Sequence, residues 1–178
     1  MANTIISIGG LLLVVSAPMK GEISREREMA DWDLANTGAA KWAAKHAGDT
    51  YSDLKRSTKK TIKKAISQLF LEGLTIGDVV DQLRKHMDEE RAVLIASTEI
   101  TRASAQAEQA QGEADQKEFE SIKVTKVWMT NNDDLVCPIC SALNDKVVGI
   151  NECFTENIFL PPAHEGCRCW ISHGMEFV

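Results

Sequence analysis

Cys137-Pro138-Ile139-Cys140 and His164-Glu165-Gly166-Cys167-Arg168-Cys169 decide how this chain is read. Four of its five cysteines and one of its four histidines fall in these two short runs. A C-x-x-C turn presents two thiolates from one side. A tetrahedral ion such as zinc then needs a second pair from a distant piece of chain. His164, Cys167 and Cys169 supply three candidates, one more than a closed four-coordinate site takes. The reading is therefore Cys137 and Cys140 with two or three of His164, Cys167 and Cys169. Any spare group would support the ligands from behind.

Three rival readings use the same residues. A thioredoxin-like redox pair also has C-x-x-C, but it needs a βαβ setting and has no use for a second Cys/His run. Disulfides would form if the chain ended outside a cell, yet no targeting signal is evident. A catalytic zinc needs an open position and a nearby acid or base. Glu165 is the nearest carboxylate in sequence, but a thiolate-rich site is usually closed. A structural metal is favoured, because the surrounding sheet is too small to stand alone. Structural zinc adds about 10–16 kcal/mol to modules of this kind.

The residues around the two runs read as that small sheet. Polarity rises at Gly112 to Glu118, as at a hinge. Ile122 to Thr130 reads as a strand, Asn131 to Asp134 as a turn, and Ser141-Ala142-Leu143 as a short helical piece. Lys146 to Ile150 is a second strand and Cys169 to Met175 a third. Asn151 to Leu160 is a loop carrying Cys153, expected to be a free, partly buried thiol. Pro161-Pro162 gives an extended approach to His164, and His173 is expected on the surface.

Upstream the chain is helical. Asp31 to His46 has helical spacing through Trp32, Leu34, Ala35, Ala39, Trp42 and Ala43, with Gly38 a weak point. In Tyr51 to Leu71, the residues Leu54, Ile62, Ala65, Ile66, Leu69 and Phe70 share one face. Lys55, Arg56, Lys59, Lys60, Lys63 and Lys64 take the neighbouring face. Such a stripe is usually a solvated flank, and otherwise contacts DNA phosphates or an acidic partner. Gly73 reads as a C-cap. Thr75-Ile76-Gly77-Asp78 is a capping box, opening a helix with Ile76, Val79, Val80, Leu83 and Met87 inward. Asp88 caps a longer helix to about Asp115. Its heptad seam runs Val93, Ala96, Ile100, Ala103, Ala107, Ala110 and Ala114, so a partner element comes close.

Thr4 to Met19 is apolar but short for a membrane span, and Gly9-Gly10 breaks it. It has no basic start for a signal peptide. It reads as a strand or buried extension, or as an arm that adds to a partner's sheet. Met19 to Arg27 reads as a linker. At 178 residues and 44% hydrophobic the chain can bury a core. A net charge of −6 argues against a dedicated nucleic-acid binder without excluding a local basic stripe. The expected organisation is an N-terminal arm and linker over 1–30, a helical domain over 31–116 and a zinc-binding β-module over 117–178. The fold class is α+β, an elongated helical stem followed by a small zinc-clasped β-module.

Several motifs recur in a known order. Trp128-Met129-Thr130 precedes Asp134-Leu135-Val136-Cys137-Pro138-Ile139-Cys140. Then come Leu143-Asn144-Asp145-Lys146-Val147-Val148, Pro161-Pro162-Ala163-His164 and Cys167-Arg168-Cys169. This succession resembles the C-terminal signature of the phage Mu F-like head morphogenesis proteins, also called minor head or minor capsid proteins. Asn144-Asp145 departs from that family's usual Asp-Gly, though Asn and Asp tolerate left-handed backbone better than most residues. Ala96-Ser97-Thr98-Glu99-Ile100-Thr101-Arg102-Ala103 resembles the family's second signature, A-x-T-E-x-x-R-A. Glu99 and Arg102 are placed to pair on one helix face, a structural reading preferred over an enzymatic one. Together the signatures carry the resemblance from about Ala40 to Met175.

The resemblance implies a structural protein of the virion, inside the head near the portal vertex, and in the host cytoplasm during assembly. It implies the portal and other head proteins as partners, several copies per head, and a part in capsid assembly or genome packaging and delivery. DNA contact through the basic stripe would fit; a membrane partner would not. The alternative is a zinc-dependent nuclease or toxin-type effector of phage origin. A nuclease needs a second cluster of His and carboxylates, and the sequence offers neither that nor a Ser/His/Asp set.

Overall fold

The computed structural model describes residues 4–8, 11–15, 36–119, 121–131 and 133–177. The linker read at Met19–Arg27 and the Trp32–Ala35 start of the first helix lie outside them. The chain divides into two compact units, residues 1–34 and 35–178. In the first, β1 (Thr4–Ile8) and β2 (Leu11–Val15) form an antiparallel hairpin in which Ile8 faces Leu11 and Thr4 faces Val15. Among the described residues no helix is long and apolar enough to cross a membrane.

The second unit is α+β, with four helices followed by a three-stranded sheet that carries one further short helix. Helix α1 covers residues 36–46 and α2 runs Arg56–Glu72. The second helix starts later than its periodicity suggests. Tyr51 to Leu54 form turns, and Lys55 at the N-cap makes no side-chain cap. At its other end Gly73 takes the left-handed C-cap, φ 68°. Helix α3 (Ile76–Leu83) opens with the expected box: Thr75 Oγ1 accepts from Asp78 N and the Asp78 carboxylate accepts from Thr75 N. Val79, Val80 and Leu83 go inward, whereas Ile76, in the first turn, is 47% exposed.

Helix α4 (Glu89–Glu118) is capped by Asp88, whose carboxylate accepts from Arg91 N. Its 30 residues span about 45 Å. The single seam expected of it gives way to two buried faces. Ala92, Ile95, Ala96, Ala103 and Ala107 pack in the helical core with Ala43, Ile62, Ile66, Val79 and Leu83. Thr98, Ala105, Gln109 and Gly112 are buried on another face, and α4 packs on the sheet as well as on the helices. Val93 at one edge and Ala110 and Ala114 beyond the helical partners stay exposed. Alanines are what permit this tight packing: a Cβ on Gly38 would stand 3.2 Å from Ala107 Cβ.

The hinge expected at Gly112 to Glu118 is continuous helix. Gly112 is a close-approach position, since a Cβ there would meet Ile150 Cδ1 at 2.6 Å and His173 Nε2 at 2.7 Å. His173, expected at the surface, is thereby packed against α4, its side chain 13% exposed. The sheet has the order β4-β3-β5, all antiparallel, with β3 Ile122–Met129, β4 Val147–Gly149 and β5 Trp170–Phe177. Trp128 faces Ile171 and Lys126 faces His173 across β3 and β5. Between β3 and β4 lies α5 (Pro138–Leu143). The Asn144-Asp145 turn uses the left-handed backbone the sequence allows, with Asp145 at φ 60°. Asn144 Oδ1 accepts from both Thr130 N (3.0 Å) and Thr130 Oγ1 (2.8 Å), pinning the strand end. The Pro161–Pro162 bond is cis rather than fully extended.

Candidate metal centre

Each cysteine of the first run is placed by a helix start. Cys137 is the N-cap of α5, Pro138 sits in its first turn, and Cys137 Sγ accepts from Cys140 N at 3.4 Å. Proline suits that position because its missing N–H is not needed there. The Cys140 side chain therefore comes round one turn later, buried beside Cys137. The second run is brought over by Arg168, whose guanidinium makes two parallel bonds to the Asp133 carboxylate, 2.8 and 2.9 Å. That fork ties the two runs together just outside the cluster.

All five candidates converge. Cys137 Sγ lies 3.1 Å from His164 Nε2, Cys140 Sγ 3.4 Å from the same nitrogen, and Cys140 Sγ 3.7 Å from Cys167 Sγ. Cys137, Cys140 and His164 form one group and Cys140, Cys167 and Cys169 another, each with ligand atoms within 4.8 Å of one another. Cys140 belongs to both. A tetrahedral ion with metal–sulfur bonds of about 2.3 Å and metal–nitrogen bonds of about 2.0 Å sets ligand–ligand edges of about 3.5–3.8 Å. Two of the three separations lie near such edges and the third, Cys137 Sγ to His164 Nε2, is shorter, so each group of three is close enough to hold a metal ion.

Proton placement also suits one. His164 Nδ1 donates to the Glu165 carbonyl at 2.8 Å, which leaves Nε2, the atom facing the thiols, with its lone pair free. The same bond and the neighbouring thiols raise the His164 pKa, burial opposing. Bonds from Cys169 and neighbouring backbone bring the Cys167 thiol down to about 5, against the cost of burial. Burial pushes Cys140 up to about 12, and Cys169 is raised chiefly by the bond it gives Cys167. Cys153, expected to be partly buried, is exposed and stands apart from both groups.

Helix α4 grips this cluster from the side. Thr98 Oγ1 accepts from Gly166 N at 2.8 Å, and Thr101 Oγ1 donates to the Cys167 carbonyl at 2.9 Å. Between them Glu99, fully buried, turns the other way and accepts from Gly48 N at 3.0 Å and from Arg102. Arg102 also donates to Thr50 Oγ1 at 3.0 Å. The Thr-Glu-Arg set is thus spent on structural bonds, as its spacing suggests. A family model described as Phage Mu protein F like protein matches residues 60–172, a stretch that includes both this turn and the Cys/His cluster.

The chain belongs to the phage Mu F-like family. No curated protein and no solved structure matched it. Membership in the Mu F-like family points to a phage protein of head morphogenesis.

The basic stripe of this Mu F-like chain is less uniform than its sequence. Lys63 pairs with Asp49 at 2.9 Å and caps the Lys45 carbonyl, while Lys59 lies 3.5 Å from the Asp49 carbonyl. These two lysines hold the loop between α1 and α2. Lys55, Arg56, Lys60 and Lys64 are exposed. One buried group escaped the sequence reading altogether. Lys126 is fully buried, donates to Gln109 Oε1 at 3.2 Å and stands 3.3 Å above the centre of the Phe159 ring. Burial brings its pKa down to about 8. The period-2 pattern that turns Val124 and Trp128 inward turns Lys126 inward with them, and that was the available signal.

Proposed function

We propose that this chain is a structural minor head protein that works beside the portal vertex in capsid assembly or genome packaging and delivery. The match of the family across residues 60–172 carries this reading. Cys137 and Cys140 hold a structural zinc together with two or three of His164, Cys167 and Cys169. Thiolates with one imidazole, closely packed and largely buried, are the donor set zinc prefers over harder ions. Zinc there closes the sheet; it does no chemistry on a substrate. The polar groups of the second signature support a non-enzymatic role, because they are engaged with Gly48, Thr50, Gly166 and Cys167.

Co-expression of the chain with its phage's portal and major head proteins tests the reading. Incorporation into heads only when the portal is present is the expected result; incorporation independent of the portal contradicts it. DNA contact falls to Lys55, Arg56, Lys60 and Lys64. Reversing these four charges should weaken DNA retention and flatten its salt dependence, while an unchanged salt slope removes DNA from the list of partners.

A further inference from the structure

We infer that Thr98 and Thr101 are positioning residues of the metal centre, through which α4 sets its affinity. The inference rests on the metal reading of the Cys/His cluster. The two hydroxyls stand one helical turn apart and hold the ligand loop at two consecutive residues. Thr98 Oγ1 gives its hydrogen to the Leu94 carbonyl at 2.7 Å, so a lone pair is left for Gly166 N–H. Thr101 Oγ1 gives its hydrogen to the carbonyl of Cys167 itself. The Cys167 backbone is therefore fixed on both sides of its Cα, by a rigid element outside the cluster.

That restraint adds to the Arg168–Asp133 fork and to the bond from Cys167 N to the His164 carbonyl at 3.2 Å, and it is the one supplied by α4. Gly166 has a left-handed backbone, φ 75°, and glycine gives the chain more freedom than any other residue. Bringing Cys167 Sγ to 3.7 Å from Cys140 Sγ costs chain entropy unless the loop is held in advance. Thr98 is fully buried, so no water replaces its bond to Gly166. The hydroxyls act on a ligand's backbone and never touch the ion.

Full-length Thr98→Val, Thr101→Val and the double variant test this, with Thr98→Ser and Thr101→Ser beside them. Zinc and cobalt(II) are titrated against a chromophoric chelator, and the cobalt–thiolate absorption spectrum is recorded. The valine variants should bind about 10–100-fold more weakly, as when a ligand-orienting hydrogen bond is removed. Their cobalt spectrum should shift, and the serine variants should restore both readouts. Thr101→Val alone carries the test if the buried site does not tolerate valine, since Thr101 is only half-buried. Valine variants with wild-type affinity and spectrum overturn this inference and leave the metal reading standing. A wild-type chain that binds neither metal overturns both.

Discussion

In the helical half, the buried cluster consists of alanines, isoleucines, valines, one leucine and one tyrosine. In the C-terminal half it is Trp128, Leu143, Phe154 and Ile171 interleaved with Cys140, Cys167 and Cys169. The first closes with groups the chain supplies: small residues let helices approach, Glu99 and Arg102 bond to the loop after α1, and Thr75, Asp88 and Gly73 satisfy the helix ends. The second has thiols where a self-sufficient core would have aliphatic carbon. A sheet with one three-residue strand leaves little other apolar surface to bury. On the zinc reading proposed above, the second half depends on an ion that the first does not need.

The largest effect expected from that contrast is an asymmetric response to chelation. Removing metal should abolish the near-ultraviolet circular dichroism of Trp128, which is fully buried in the second cluster, while most far-ultraviolet helical signal persists. Equal loss of both signals, or of neither, breaks the comparison. Next in size is a cavity in the first cluster. Ile62→Ala should cost about 2–5 kcal/mol in denaturant unfolding of the metal-loaded chain, because Ile62 is fully buried against Gly48. A cost under about 1 kcal/mol would mean that packing is not what closes this half.

Lys126 sharpens the comparison where α4 meets the sheet. Its amine is shifted from the usual 10.5 down to about 8, so the unfolded chain keeps this proton to higher pH than the folded one. Stability therefore rises between about pH 8 and pH 10.5, and below that window the buried charge weighs fully against folding. Lys126→Met removes the dependence. Its stability advantage over the wild type should shrink across that window by about 1–3 kcal/mol. A constant gap would show that Lys126 is not buried as described. The smallest effect is Thr75→Ala, about 1 kcal/mol from loss of the capping box. It should leave the Trp128 signal untouched.

What the sequence made legible was local. The Asp88 cap, the Thr75/Asp78 box, the Gly73 C-cap and the left-handed Asn144-Asp145 turn follow rules that reach only a few residues, and each stands where those rules put it. All three strands stand close to where they were read, the last of them from its alternation. Long-range packing was not legible. Gly112 reads as a hinge until His173 and Ile150 are seen against it, and the α4 seam fails where the sheet supplies a second partner. His173 packs against α4 instead of standing at the surface for the same reason. At the cluster, spacing named the five candidates but not their arrangement. That Cys140 is shared, that Arg168 forks onto Asp133, and that Thr98 and Thr101 hold the loop depend on contacts across 27 to 68 residues.

Closure of the C-terminal half by one structural zinc is the proposal on which the contrast between the two clusters turns. Elemental analysis of the purified, reduced chain, beside Cys137→Ser and Cys167→Ser, tests it most directly. One zinc per wild-type chain is expected, lost in both variants together with the Trp128 signal. A metal-free wild-type chain with those cysteines paired as disulfides would contradict it.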